Sequence, residues 1–559
     1  MFALIKNECI KLFCKKSTYV VLVLTLLLSC SIPLIYHYSE TRAYSNETYQ
    51  SYLQQEKSYL ENAIATDTSS YYQTAYNKAS LEVVNLKIES NVTSFNDWRE
   101  NSSYQLSTLY NEQNLIQYYL TKNKAAITEL ETSNLTSEID SASLMDYNTY
   151  GSTKKLQARY DALSAQIESY RNAIMNNDPT YVNQLNVNLT NETIAAIQKS
   201  IDDLNKSLKY ADKTAKDSIN EQIANQQKQL QLQNDLLYWL NYRVNNQISL
   251  NADDWKNTAI SNITSAIQKT YMEPVSKDDY DKSGGNSEYG SDLSYEEYLN
   301  KFNQDIAKSK DDIQLYTYAL DNNIPPSDMA NSTREHVKDI YFIVTLVSIA
   351  MIFLISPMVS SEYSKGTIRL LLIRPKKRYK VLLSKFAAAF LIGVLLLALC
   401  CGAYIALTVS LYGTADFALP ILSVENGAII ATSIMKTVLP VLLKSSAVIL
   451  FTMTLAFLFS TVVKSTVLAV GVPFALIAFS SIITIILAEL KYYDFVSYSI
   501  FPYMSLANVI NKSGNIGSIM QAFPQLNFDP QYGLILLCAS SVVFLIASFW
   551  VFGKRDVKN

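Results

Sequence analysis

Six runs of roughly 20 apolar residues, each long enough to cross about 30 Å of hydrocarbon, constrain this chain more than any other feature. They cover Thr18–Tyr36, Ile340–Val359, Phe386–Leu411, Ser446–Val463, Val467–Ala488 and Gly533–Phe552. A segment in lipid has no water for its amides and must satisfy them internally, which a helix does. The first run follows Lys15 and Lys16 as a secretory signal would. Its apolar core is too long for a signal, and "CSIPLIYHY" offers no small-x-small cleavage site, so it reads as a retained helix.

Lys and Arg in the short flanks set the orientation, because cytoplasmic loops carry the excess. Lys6, Lys11, Lys15 and Lys16 precede the first run, and eight cations lie between Ser360 and Phe386. Lys464 separates the fourth and fifth runs, and Lys554, Arg555 and Lys558 follow the sixth. All fall on one side if both termini are cytoplasmic, which places one large polar loop outside. The charges divide in the same way: residues 40–337 hold 26 basic and 41 acidic side chains, the remainder 21 and 9. Cys9, Cys14, Cys30, Cys400, Cys401 and Cys538 lie in or beside the apolar runs, and the outer loop has none. An animal-type outer domain would use disulfides. With heavy Asn, Ile, Lys and Tyr usage, this points to the plasma membrane of a Gram-positive bacterium. The N-x-S/T triplets, such as Asn46–Thr48 and Asn188–Thr190, are then products of composition.

The outer loop is nearly free of helix breakers, and its apolar residues recur alternately three and four apart. One ladder runs Leu156, Tyr160, Leu163, Ile167, Tyr170 and Ile174. Another runs from Leu106 through Leu109, Ile116, Leu120 and Ile127 to Leu130, with Gln113 and Asn123 in the seam. A third climbs from Ile219 to Val244 with Gln226 and Gln233 in the seam. Such spacing buries one stripe of a helix against a partner. Breaks at Tyr147–Ser152, Asn176–Pro179, Ser283–Gly290 and Asn322–Ser327 mark the hairpins. The expected fold class is an all-α membrane protein: six transmembrane helices with a large helical, coiled-coil-like extracellular domain between the first and second. The outer domain serves as a spacer or as a receptor surface for a peptide, lipid or wall component. Trp98, Trp239 and Trp255 are expected as core anchors and His336 as an interfacial side chain.

The chain lacks the residues of an enzyme. It has no G-x-x-x-x-G-K-[ST] phosphate loop, no G-x-S-x-G, no H-E-x-x-H and no C-x-x-C, and its two His are His37 and His336. No cofactor, metal or nucleic-acid partner is expected. Charges are nearly missing from the apolar runs, whereas proton-driven carriers place Asp, Glu or His there. Lys444 and Glu489 sit at run edges, where long side chains snorkel. The energy source lies elsewhere.

The connector "SSEYSKGTIRLLLIRPKKRYKVLLSKF", Ser360–Phe386, is where it would enter. Gly366 and Thr367 open a helical turn with Ile368, Leu371 and Leu372 on its apolar face. Pro375, after Arg374, cannot continue that turn, because it lacks an N–H and clashes with the turn before it. A rigid amphipathic knuckle of this kind suits a groove on a cytoplasmic protein.

The stretch resembles the E-x(3)-GT-x(3)-LL-x(2)-P-x(2)-R-x(5)-K signature of type-2 ATP-binding-cassette (ABC) exporter permeases. The matching residues are Glu362, Gly366, Thr367, Leu371, Leu372, Pro375, Arg378 and, within one residue of the usual spacing, Lys385. "MFALIKNECIKLFCKKSTYVVL" is similar to that family's amphipathic N-terminal connecting helix. The resemblance covers residues 1–38 and 338–559, leaving 39–337 as an unusual insertion. It implies a cytoplasmic ABC ATPase subunit docking on loop 360–386, a second permease subunit forming a homo- or heterodimer, and contact with membrane lipids. It further implies re-entrant helices between the fifth and sixth spans, which Phe495–Ile510 would supply. The phage infection protein family also pairs one span, a long helical ectodomain and five spans. That second resemblance implies a receptor or secretion scaffold without transport.

Overall fold

The computed structural model describes residues 1–43, 46–66, 70–283, 293–328, 332–364, 378–463, 465–523 and 525–554. The chain divides into two compact units, one of residues 1–38, 327–421 and 431–559 and the other of residues 39–326 and 422–430.

The first unit contains six helices long and apolar enough to cross a membrane: Lys16–Ser39, Thr333–Ser364, Arg378–Tyr412, Ile434–Val462, Thr466–Glu489 and Pro530–Lys554. Each contains one of the six apolar runs almost entirely and extends beyond it. The fourth begins twelve residues ahead of its run, because Ile434, Val438 and Leu442 continue a buried stripe. Lys444 therefore lies within that helix and not at its edge. The second helix packs against the third, fourth and fifth, and the sixth packs on the fourth. The first is looser, touching the core through Val21, Leu22 and Ile32.

Pro357 interrupts the second helix. A proline withholds its own N–H from the helical ladder, and a neighbour supplies polar contacts beside the gap. The amides of Val359 and Ser360 both donate to Ser460 Oγ of the fourth helix at 3.1 Å. Ser460 Oγ in turn donates to the Ser356 carbonyl at 2.6 Å.

Between the fifth and sixth long helices the chain makes short turns of helix, Tyr493–Tyr498, Pro502–Ser505, Leu506–Asn511 and Gly514–Ala522. They bury Val496, Tyr503, Met504, Leu506 and Val509 against the bundle. Gly533 permits this close packing: a β-carbon there would lie 2.1 Å from the Tyr503 ring.

A hairpin absent from the sequence reading, Pro420–Glu425 and Ala428–Ser433, precedes the fourth helix. Its turn is Asn426-Gly427, both with positive φ (52° and 75°), as the favoured two-residue hairpin turn requires.

In the second unit short polar caps start the helices. Asp97, Asn123, Asp140, Asp178, Asp212 and Asp254 each accept a hydrogen bond from an amide of the first turn, and Ser294 forms a capping box with Glu297. Asn123 corrects one expectation. The ladder Leu106–Leu130 is two helices, Trp98–Leu120 and Lys124–Thr132, because Asn123 caps the second instead of filling a seam. The ladder Leu156–Ile174 lies on one helix, Lys154–Met175. The longest pair, Pro179–Leu208 and Lys213–Asn245, has 30 and 33 residues, roughly 45–50 Å each. They pack on one another, with Ile201 and Ile223 buried. Trp98 and Trp239 are buried, while Trp255 is half-buried. The Arg159 guanidinium bonds Glu112 through two nitrogens, at 2.9 and 2.7 Å.

Candidate functional site

Glu8 is the lone carboxylate among the first 39 residues, and Glu362 is the lone one in the cation-rich connector. The fold brings both to a single ammonium. Lys385 Nζ donates to Glu8 Oε2 at 2.9 Å and to Glu362 Oε1 at 2.7 Å. Lys11 Nζ bonds the other Glu8 oxygen at 2.7 Å. The Lys385 and Glu8 side chains are only 3% and 8% exposed and Glu362 is 19% exposed, so water screens the two Lys385 pairs little, while Lys11 is 41% exposed.

Each member is positioned by its helix. Glu8 and Leu12, four residues apart, share the buried face of the amphipathic helix Phe2–Phe13, with Lys11 beside them. This helix packs along the third long helix, two turns into which Lys385 sits. Glu362 lies in the last turn of the second long helix. The cluster thus ties the N-terminal helix to both helices that border residues 365–377. Burial pushes the Glu8 carboxyl up, but the Lys385 charge and the bonds from Lys11 and Lys385 outweigh it and hold the group below the usual carboxylate range. For Glu8 the ionised form is therefore the one the site favours.

Of the residues singled out in the connector, Glu362 joins this cluster. Arg378 opens the third long helix, with Nη1 3.5 Å from the Gly553 carbonyl at the end of the sixth. Gly366, Thr367, Ile368, Leu371, Leu372, Arg374 and Pro375 lie outside the described residues. Sequence reasoning noted Lys385 only as a motif position and passed over Glu8. The isolation of each acid among cations was the available signal. His336 stacks on Tyr412 with ring centroids 4.0 Å apart, and His37 meets the same ring edge-on at 5.4 Å. Among the described residues no three His, Cys, Asp or Glu side chains are placed to hold a metal.

Residues 304–558 match a family described as protein of unknown function, DUF2705. The chain is also similar to the uncharacterized protein YhcI of Bacillus subtilis (strain 168), 29% identical over 253 residues, which is 45% of this chain and 77% of that relative. No solved structure matches. The family match takes in the second to sixth long helices and leaves out residues 1–303.

Proposed function

We propose that the chain is the membrane-spanning subunit of an ATP-driven exporter. It would move a hydrophobic or amphipathic cargo with energy from a separate cytoplasmic ABC ATPase, alongside a second permease subunit. The observation that carries this reading is the buried Glu8–Lys385–Glu362 cluster. It fastens the amphipathic N-terminal helix to both helices bordering the cation-rich connector. A push delivered at residues 365–377 would therefore reach three helices together. The resemblance of the connector to the coupling loop of type-2 exporter permeases supports the same assignment.

The test is co-purification of the ATPase and its ATP hydrolysis at matched expression. Leu371→Asp would bury an unpaired charge in the partner's groove, at an effective cost on the order of several kcal/mol, and should abolish capture. Lys376→Ala removes one exposed cation, worth about 0–1 kcal/mol, and should leave both readouts within about threefold. The reverse ranking would make the connector an electrostatic membrane anchor.

The reading also fixes the topology. In a background without native thiols, a cysteine at Ser294 should react with an impermeant thiol reagent in intact cells, and one at Ser364 should not. Opposite labelling would overturn the orientation and the exporter reading with it.

A further inference from the structure

A cavity of about 810 Å³ opens in the membrane unit, lined by the end of the first long helix and the start of the second. The size suits a small-molecule site, which typically falls at about 300–1,000 Å³. Its apolar wall includes Ile32 and Ile35 of the first helix, Phe342 and Val344 of the second, Val448 of the fourth, and Leu506 of the short helices.

The polar side carries an uneven charge. Glu335, Lys338 and Asp339 all line it. Lys338 is already matched, since its Nζ bonds Glu335 at 2.6 Å and Ser327 Oγ at 2.9 Å. Asp339 is exposed, and among the described residues its carboxylate makes no ion pair or hydrogen bond. Two acids and one cation line this side, so it carries one net negative charge, with Lys338 near both carboxylates. A second feature lies in the wall. Ser445 is 1% exposed, and its Oγ makes no hydrogen bond among the described residues. A buried hydroxyl without a bond is costly, and it lines this same cavity.

We propose that the cavity binds one amphipathic molecule with a cationic amine head, a carbonyl close to that head and a single apolar tail. The amine would pair with Asp339, the carbonyl would accept from Ser445, and the tail would lie along the apolar wall of Ile32, Ile35, Phe342 and Val344. An anionic head would meet Asp339 with like charge, which disfavours fatty acids of the same length. The proposal does not rest on the transport reading, because it requires binding and no ATPase.

The experiment uses the purified full-length chain in lipid nanodiscs and glycine dodecyl ester, with dodecanoate and dodecylamine as comparisons, read by native mass spectrometry. Glycine dodecyl ester should bind saturably at one site, at least tenfold tighter than dodecanoate. Asp339→Asn should weaken it at least tenfold. Ser445→Ala should weaken the ester about fivefold while leaving dodecylamine unchanged. Thr345→Trp, which fills the cavity and leaves Asp339 and Ser445 themselves unchanged, should prevent binding of both amines and serves if Asp339→Asn does not fold. Uptake no greater than in empty nanodiscs, equal binding of dodecanoate, or indifference to Thr345→Trp would each overturn the proposal.

Discussion

Lys385→Met should lower the stability of the purified chain by about 3–5 kcal/mol, because removing one partner of a buried ion cluster leaves its charges uncompensated. Here two carboxylates lose their shared cation at once. Glu8 keeps Lys11 at 2.7 Å. A triple variant, Glu8→Gln with Glu362→Gln and Lys385→Met, should recover most of the loss, since the one charge left is Lys11, which at 41% exposed is solvated by water. Titrating SDS into mixed micelles measures both. The pH dependence has a definite sign. Because the Glu8 carboxyl is held below its usual value in the folded state, its contribution is present above the ordinary carboxylate range and disappears as pH falls through the folded value. An unfolding free energy for Lys385→Met within about 0.5 kcal/mol of the parent would show that the cluster contributes nothing to stability.

Arg334→Met should cost about 3 kcal/mol by a different route. The Arg334 side chain is fully buried, where it donates from Nε and Nη2 to Asp416 Oδ1 at 3.1 and 2.8 Å and from Nη1 to the Pro420 carbonyl. Asp416 also accepts from the Ser332 hydroxyl and the Arg334 amide, so one carboxylate closes the start of the second long helix. Burial pushes the Asp416 carboxyl up, yet these hydrogen bonds and the Arg334 charge hold it below its usual value. Hydrogen bonds to charged groups are worth about 1.5–3 kcal/mol each. The estimate stays near one such bond because Asp416 is 22% exposed and water can take over part of its solvation. The same SDS titration checks it. Asp416→Asn should cost at least as much: it keeps an acceptor for the Ser332 hydroxyl and the Arg334 amide, but it removes the carboxylate charge facing the fully buried Arg334 guanidinium.

The six long helices were legible because lipid leaves a crossing segment a single local solution, and a run of apolar residues announces it. The helices of residues 39–326 were legible where periodicity ran unbroken, as in Lys154–Met175 and Lys213–Asn245. Legibility ended where one side chain changes role. Asn123 reads equally as a polar seam residue and as a cap, and only the turn at Thr121–Asn123 decides between them. The hairpin turn Asn426-Gly427 carried a signal that was overlooked, lying between two membrane segments. The ion cluster was half legible, as two solitary acids. Their meeting on Lys385 joins positions 377 and 23 residues apart, which no local pattern encodes.

Pro357 and Ser460 have a mechanical consequence. An unbroken helix resists bending through its own ladder of hydrogen bonds, and a proline weakens that resistance at one rung. Here the polar bracing beside that rung comes from the fourth helix, through one hydroxyl that contacts two amides and a carbonyl. The compliance of the second helix, five residues before Glu362, is thus shared between two helices, and a neighbour that slides by the length of a hydrogen bond softens the joint without breaking either rod.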